Sequence, residues 1–159
     1  MKEGECLHAV GQGAIGVECR EGDEGSLAIV EALSHRETVL ACVAERAFLR
    51  SLEGGCSAPV AAHAKVDGGK VKMEGGVWSV DGKTEMRESL EVAVTDGEGE
   101  GEAKKAKVEE RQFSSFVSRN IAQADLEAAE KLGLDLAAKL LDQGAKKVLL
   151  EAKAATAAK

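Results

Sequence analysis

Apolar and polar positions change rhythm along this chain, and each change predicts an element. Leu27, Ile29, Val30 and Leu33 make residues 25–33 a short helix. Ser34-x-x-Glu37 then reads as a capping box, opening a second helix that runs to about Glu53. In that helix Leu40, Val43, Ala44, Ala47 and Phe48 recur at helical spacing and form one apolar face. Arg36, Glu37, Glu45, Arg46, Arg50 and Ser51 fill its other sides. The period then drops to two, which predicts strands over residues 59–66, 70–79 and 84–94. With the middle strand in register, Val71, Met73, Gly75, Val77 and Ser79 share one side, and Trp78 is expected between the sheet and a helix. Asp67-Gly68-Gly69 and Asp81-Gly82 are turn signals between these strands, and a lone strand histidine such as His63 reads as structural. From about Ala122 the helical period returns, with Leu126, Ala129, Leu132, Leu136, Leu140 and Leu141 on one face. Gly133 interrupts that face, at a cost of about 1 kcal/mol against alanine. Gly144 reads as a C-cap, followed by a last short helix around Val148, Leu149 and Ala152 and a fraying alanine-rich tail.

The elements add up to an α+β fold: a small three-stranded antiparallel sheet packed with helices, preceded by an N-terminal βα segment. In that segment residues 14–20 alternate in a strand-like way. They follow Gly11-x-Gly13-x-x-Gly16, the letter pattern of a dinucleotide fingerprint. That fingerprint requires a helix directly after its glycines, and a strand-like run stands there, so nicotinamide binding is rejected. Residues 95–111 alternate glycine and glutamate before a short lysine cluster; they bury no apolar area and are expected to be a mobile surface loop.

Composition narrows the function. The 159 residues carry a net charge of −7, with 44% apolar and 31% charged positions, and aromatics make up only 3%. A core must therefore come from Val, Leu, Ile and Ala. The acidic balance argues against nucleic acid as a partner. No apolar run approaches a membrane span, and no signal peptide opens the chain, so a cytoplasmic protein with no membrane partner is expected. Cys6, Cys19, Cys42 and Cys56 contain no C-x-x-C pair, which leaves no metal motif and favours reduced thiols.

The richest stretch is Leu52-Glu53-Gly54-Gly55-Cys56-Ser57-Ala58-Pro59, where the long helix ends and the strands begin. Two glycines free the backbone and Pro59 keeps the exit extended. Cys56 is either a small buried filler behind a helix C-cap or a reactive group presented on a loop. Arg46 and Arg50 lie four apart on one side of the helix near Cys56. They read either as a solvated face paired with Glu45 or Glu53, or as a bridge to another domain or a clamp on a carboxylate.

Ala44-Glu45-Arg46-Ala47-Phe48-Leu49, Leu52 to Cys56 and Pro59, with Ala9-Val10-Gly11-Gln12-Gly13-Ala14-Ile15-Gly16 upstream, closely resemble porphobilinogen deaminase (hydroxymethylbilane synthase). Gly75-Gly76-Val77-Trp78-Ser79 with Asp81-Gly82, then Leu140-Leu141 and Gly144-Ala145-Lys146, extend the resemblance. It covers most of this chain but only the C-terminal part of the family's. It implies a transferase of heme and tetrapyrrole biosynthesis that condenses four porphobilinogen units into hydroxymethylbilane, releasing ammonia. It implies a dipyrromethane cofactor held by a thioether to Cys56, and a cleft-lining loop at Gln12 and Gly13, with Arg20 close by.

Cysteine suits such a tether, because a thiolate captures a carbon electrophile and the thioether resists water. The resemblance further implies that residues 1–32 return from a preceding domain and that 33–159 form the cofactor-attachment domain. Met1 is then not the family's true N-terminus. The partners implied are porphobilinogen and the missing N-terminal domains of a monomeric enzyme. The family's general acid/base is an aspartate of that N-terminal part, so no catalytic residue is assigned here and the chain alone is expected to be inactive. Residues 1–56 hold five Lys and Arg against ten Asp and Glu, so most carboxylate-binding cations must lie elsewhere. The alternative is a non-catalytic interaction domain that keeps the fold, with Cys56 a plain thiol.

Overall fold

In the computed structural model, residues 7–52, 58–95 and 112–157 are described. The expected loop 95–111, apart from Thr95, and Cys56 itself lie outside them. The elements run α1 (Glu24–Glu31), α2 (Arg36–Ser51), β1 (Val60–Asp67), β2 (Lys70–Trp78), β3 (Glu85–Ala93), α3 (Gln123–Asp142) and α4 (Ala145–Ala157). The α+β expectation holds: one antiparallel sheet in the order β1-β2-β3 packs against helices.

Helix α2 is central because it is covered twice, by α3 on one side and by the sheet on the other. Its apolar stripe is buried as the spacing predicts, Leu40, Val43, Ala44 and Phe48 completely so. Its N-terminus differs from expectation. His35, not Ser34, is the cap, and its imidazole accepts from the Thr38 N–H. Arg36 is not solvated either. Its guanidinium donates to Asp125 at the start of α3 (2.7 Å) and to the Thr95 carbonyl (2.9 Å). Burial pushes the Asp125 carboxyl up, but bonds from the Thr95 hydroxyl and N–H and from Arg36 outweigh it and hold the group below its usual range.

On the sheet, Val71, Met73, Gly75 and Val77 face the helices. Gly75 is needed there, since a Cβ would lie 2.7 Å from the Phe48 ring. Gly68 and Gly69 both have positive φ, giving β1 and β2 the two-residue turn their sequence specifies. Trp78 corrects an expectation: its ring lies over Gly76 beside Arg87, on the sheet face away from the helices. One residue of register decides this, because Val77 takes the inward position.

Gly133 is not a mere interruption of α3. A Cβ there would stand 2.0 Å from the Ala44 carbonyl oxygen, so the glycine is what lets α3 reach α2. Gly144, at φ 103, turns α3 into α4, which starts at Ala145 and continues through Ala157. The N-terminal stretch behaves otherwise. Residues 14–20 join no strand, and α1 buries none of its residues. A strand needs a neighbouring backbone, and on the free edge of β1 the Ala62 N–H is already taken by the His8 carbonyl (3.1 Å). Among the described residues Arg119 ties α1 to the body, its guanidinium donating to Glu24 and its backbone N–H to Glu31. No described helix is long and apolar enough to cross a membrane.

Candidate functional site

Residues 53–57 connect two fixed ends. On one side Leu52 is buried and its N–H closes on the Phe48 carbonyl (3.1 Å). On the other, the Pro59 carbonyl accepts from the Trp78 N–H (2.9 Å), so pairing with β2 begins at once. Whatever the loop carries is thus attached to a packed helix and a paired strand, which is how a rigid scaffold presents chemistry.

A second loop is tied to the same helix. Residues Val10–Gly13 form a turn, with Gly11 and Gly13 at φ 68 and 85, values glycine adopts without strain. The Gly11 N–H donates to one oxygen of Glu45 (2.7 Å), and the other oxygen accepts from the Ala64 N–H on β1 (2.7 Å). Gln12 and Gly13 are exposed at the tip. The Gln12 side-chain oxygen is used within the turn, accepting from the Ala9 N–H (3.1 Å), which leaves its amide N–H groups outward. Arg20 is not part of this turn. It is exposed and lines a shallow cleft of about 390 Å³ with Glu18, Cys19, Asp23, Ser26, Ile29 and Val30.

The cations of α2 are engaged. Arg46 lies over the Phe116 ring, 4.4 Å from its centroid, and Arg50 donates to the Ser115 hydroxyl. Neither pairs with Glu45 as one sequence reading allowed; that carboxylate serves backbone N–H groups instead. The turn Phe113–Phe116 that covers them holds Ser114 and Ser115 at φ 48 and 70, and Glu130 on α3 accepts from the Ser114 N–H (3.1 Å). Cys42 is a buried thiol. Burial pushes it up and Glu45 adds to the shift, so it is a poor nucleophile. The His8 and His63 rings lie 5.2 Å apart, tilted by 46°, and no metal-holding group of three His, Cys, Asp or Glu occurs among the described residues.

The family model described as "Porphobilinogen deaminase, C-terminal domain" matches residues 39–142, which is more than half of the chain. The chain belongs to the porphobilinogen deaminase family. Among curated relatives, the porphobilinogen deaminase of Yarrowia lipolytica is 38% identical over 94% of this chain and 36% of its own length. That of Synechococcus elongatus is 37% identical over 91% and 35%, and that of Prochlorococcus marinus 34% identical over 91% and 36%. The chain thus spans about a third of the length of these porphobilinogen deaminases.

Within this porphobilinogen deaminase domain, the geometry gathers the Gln12–Gly13 turn and α2 through Glu45, while Arg20 stands on the N-terminal stretch. Sequence reasoning missed Glu45 as a joint. Periodicity placed it off the apolar stripe, and no local pattern reveals a carboxylate that serves backbone 34 and 19 residues away. It also missed the serine turn, where asparagine or glycine is the usual signal.

Proposed function

We infer that this chain is the C-terminal, cofactor-carrying part of hydroxymethylbilane synthase, with Cys56 as the point of attachment. The observation that carries the reading is the family match over residues 39–142, which includes the loop strung between buried Leu52 and paired Pro59. The whole enzyme condenses four porphobilinogen units head to tail into hydroxymethylbilane and releases ammonia. Dipyrromethane, a pyrrole pair with acid side chains, supplies the covalently held starting end of the growing chain.

The residues present fit that group in part. A cysteine sulfur makes the water-stable thioether such a tether needs. The outward amide N–H groups of Gln12 suit carboxylate oxygens. The exposed Arg20 guanidinium makes no hydrogen bond among the described residues and can hold a carboxylate. Arg46 and Arg50 are committed to Phe116 and Ser115, so further cations come from outside this domain.

The apolar residues left open on the N-terminal stretch, Ile15 at 93% and Ile29 at 71% exposed, are the surface on which the remaining family domains pack. Residues 1–32 thus belong with those domains and 33–159 form the attachment domain. The enzyme works as a cytoplasmic monomer, and this chain alone gives no turnover.

The test is turnover of porphobilinogen by the whole enzyme. Cys56→Ser is expected to abolish it and Cys42→Ala to keep it. Full activity in Cys56→Ser overturns the reading and leaves the fold as an interaction domain with a plain thiol.

A further inference from the structure

Glu45 has a place in this fold that α2 packing does not require. It is 7% exposed, it is charged, and it lies on α2 eleven residues before Cys56. A buried carboxylate is costly unless its oxygens are satisfied. Here both are satisfied by backbone, and the two donors come from segments far apart in sequence: Gly11 in the N-terminal turn and Ala64 on the edge of β1. Each bond is 2.7 Å, the short length of a charge-assisted contact. Beyond this turn the N-terminal stretch is loosely held, since residues 14–20 join no strand and α1 buries no residue. The bonds from Gly11 to Glu45 and from Ala62 to the His8 carbonyl therefore fix where Gln12 and Gly13 stand.

We propose that Glu45 is a positioning residue, one that fixes the Gln12–Gly13 turn against α2 and β1 by taking a backbone N–H with each oxygen. The functional half of this inference rests on the assignment of Cys56 as the tether. Glu45 touches neither the cofactor nor the reacting atoms; it acts through the turn. Its chemistry makes a sharp demand. A glutamine of the same size has one acceptor oxygen and one donor amide, so it can satisfy only one of the two N–H groups and opposes the other. An aspartate keeps the charge but is one methylene short.

The test is Glu45→Gln in the whole enzyme, beside Leu140→Val, a core change on α3 remote from the turn. Amide exchange is read at Gly11 and Ala64, together with kcat and KM for porphobilinogen per folded molecule. In Glu45→Gln, protection at one of the two amides is expected to fall about tenfold or more. KM is expected to rise severalfold, while Leu140→Val lowers the melting temperature and leaves KM alone. Unchanged protection at both amides overturns the clamp. Lost protection with kcat and KM equal to those of Leu140→Val overturns the positioning role. A wild-type enzyme that carries nothing on Cys56 defeats the tether assignment instead, and the exchange result still decides the clamp.

Discussion

Gly133→Ala sets two effects of opposite sign against each other. By helix propensity alone, replacing an interior glycine with alanine stabilises by about 1 kcal/mol. The packing says otherwise. The new Cβ would stand 2.0 Å from the Ala44 carbonyl oxygen and 2.9 Å from the Phe48 nitrogen, both backbone atoms of α2 that no rotamer change can move. Ordinary contact needs roughly 3.5 Å, so α2 and α3 must separate by about 1.5 Å at this point. A gap of even 0.5–1 Å forfeits a quarter to a half of a dispersion contact, and the fully buried Ala129, Leu136 and Ala44 lie along α2 and α3. Overpacking of this kind costs about 1–3 kcal/mol, and a backbone-to-backbone obstruction belongs at or above the upper end. After the propensity gain, a net loss of about 2 kcal/mol is expected, or a fall of roughly 4–8 °C in melting temperature for a chain of this size. Thermal unfolding followed by circular dichroism measures it. Ala44→Gly should not rescue the variant, because the obstructing atom is the carbonyl oxygen. A melting temperature equal to or above wild type refutes the close approach of the two helices.

Other consequences are as direct. Asp125→Asn should cost about 3 kcal/mol near neutral pH, because it leaves the Arg36 guanidinium without its carboxylate. The folded Asp125 carboxyl is held below the ordinary ~3.9, so its contribution is fully present above that value and is lost as pH falls through the folded one. Denaturant titrations at stepped pH should therefore show wild type and Asp125→Asn converging in acid; a pH-independent gap contradicts this. Arg119→Ala removes the guanidinium tie to Glu24, keeps the backbone N–H to Glu31, and should speed limited proteolysis between residues 12 and 33 with little change in melting temperature; an unchanged cleavage rate counts against the tie. Gly75→Ala places a methyl 2.7 Å from the Phe48 ring and should destabilise. Phe48→Leu in the same chain should recover part of the loss, and strict additivity in the double-mutant cycle argues against the contact.

Much of the fold was legible because burial follows period. The Leu40–Phe48 stripe, the alternation through Val71–Val77 and the two-glycine turn at Gly68 each state a local rule that the tertiary structure obeys. What escaped was decided by partners distant in sequence. Trp78 carries no mark of its face beyond register. Gly133 looks like a fault in a helix until Ala44 is placed opposite it. Ser34 and Glu37 spell a capping box, but the chain turns one residue later and the His35 ring takes the Thr38 N–H. Residues 14–20 have a strand's alternation yet pair with no strand of the sheet. The Cys56 stretch was readable as a motif, whereas the Glu45 joint was not, because a carboxylate that accepts from backbone leaves no spacing pattern.

Peptide mapping by mass spectrometry of the purified whole enzyme tests the central claim most directly. Added mass corresponding to a dipyrromethane is expected on the peptide containing Cys56, stable in water and absent from Cys56→Ser. An active enzyme whose Cys56 peptide has its unmodified mass, or an adduct that maps to Cys19 or Cys42, contradicts it.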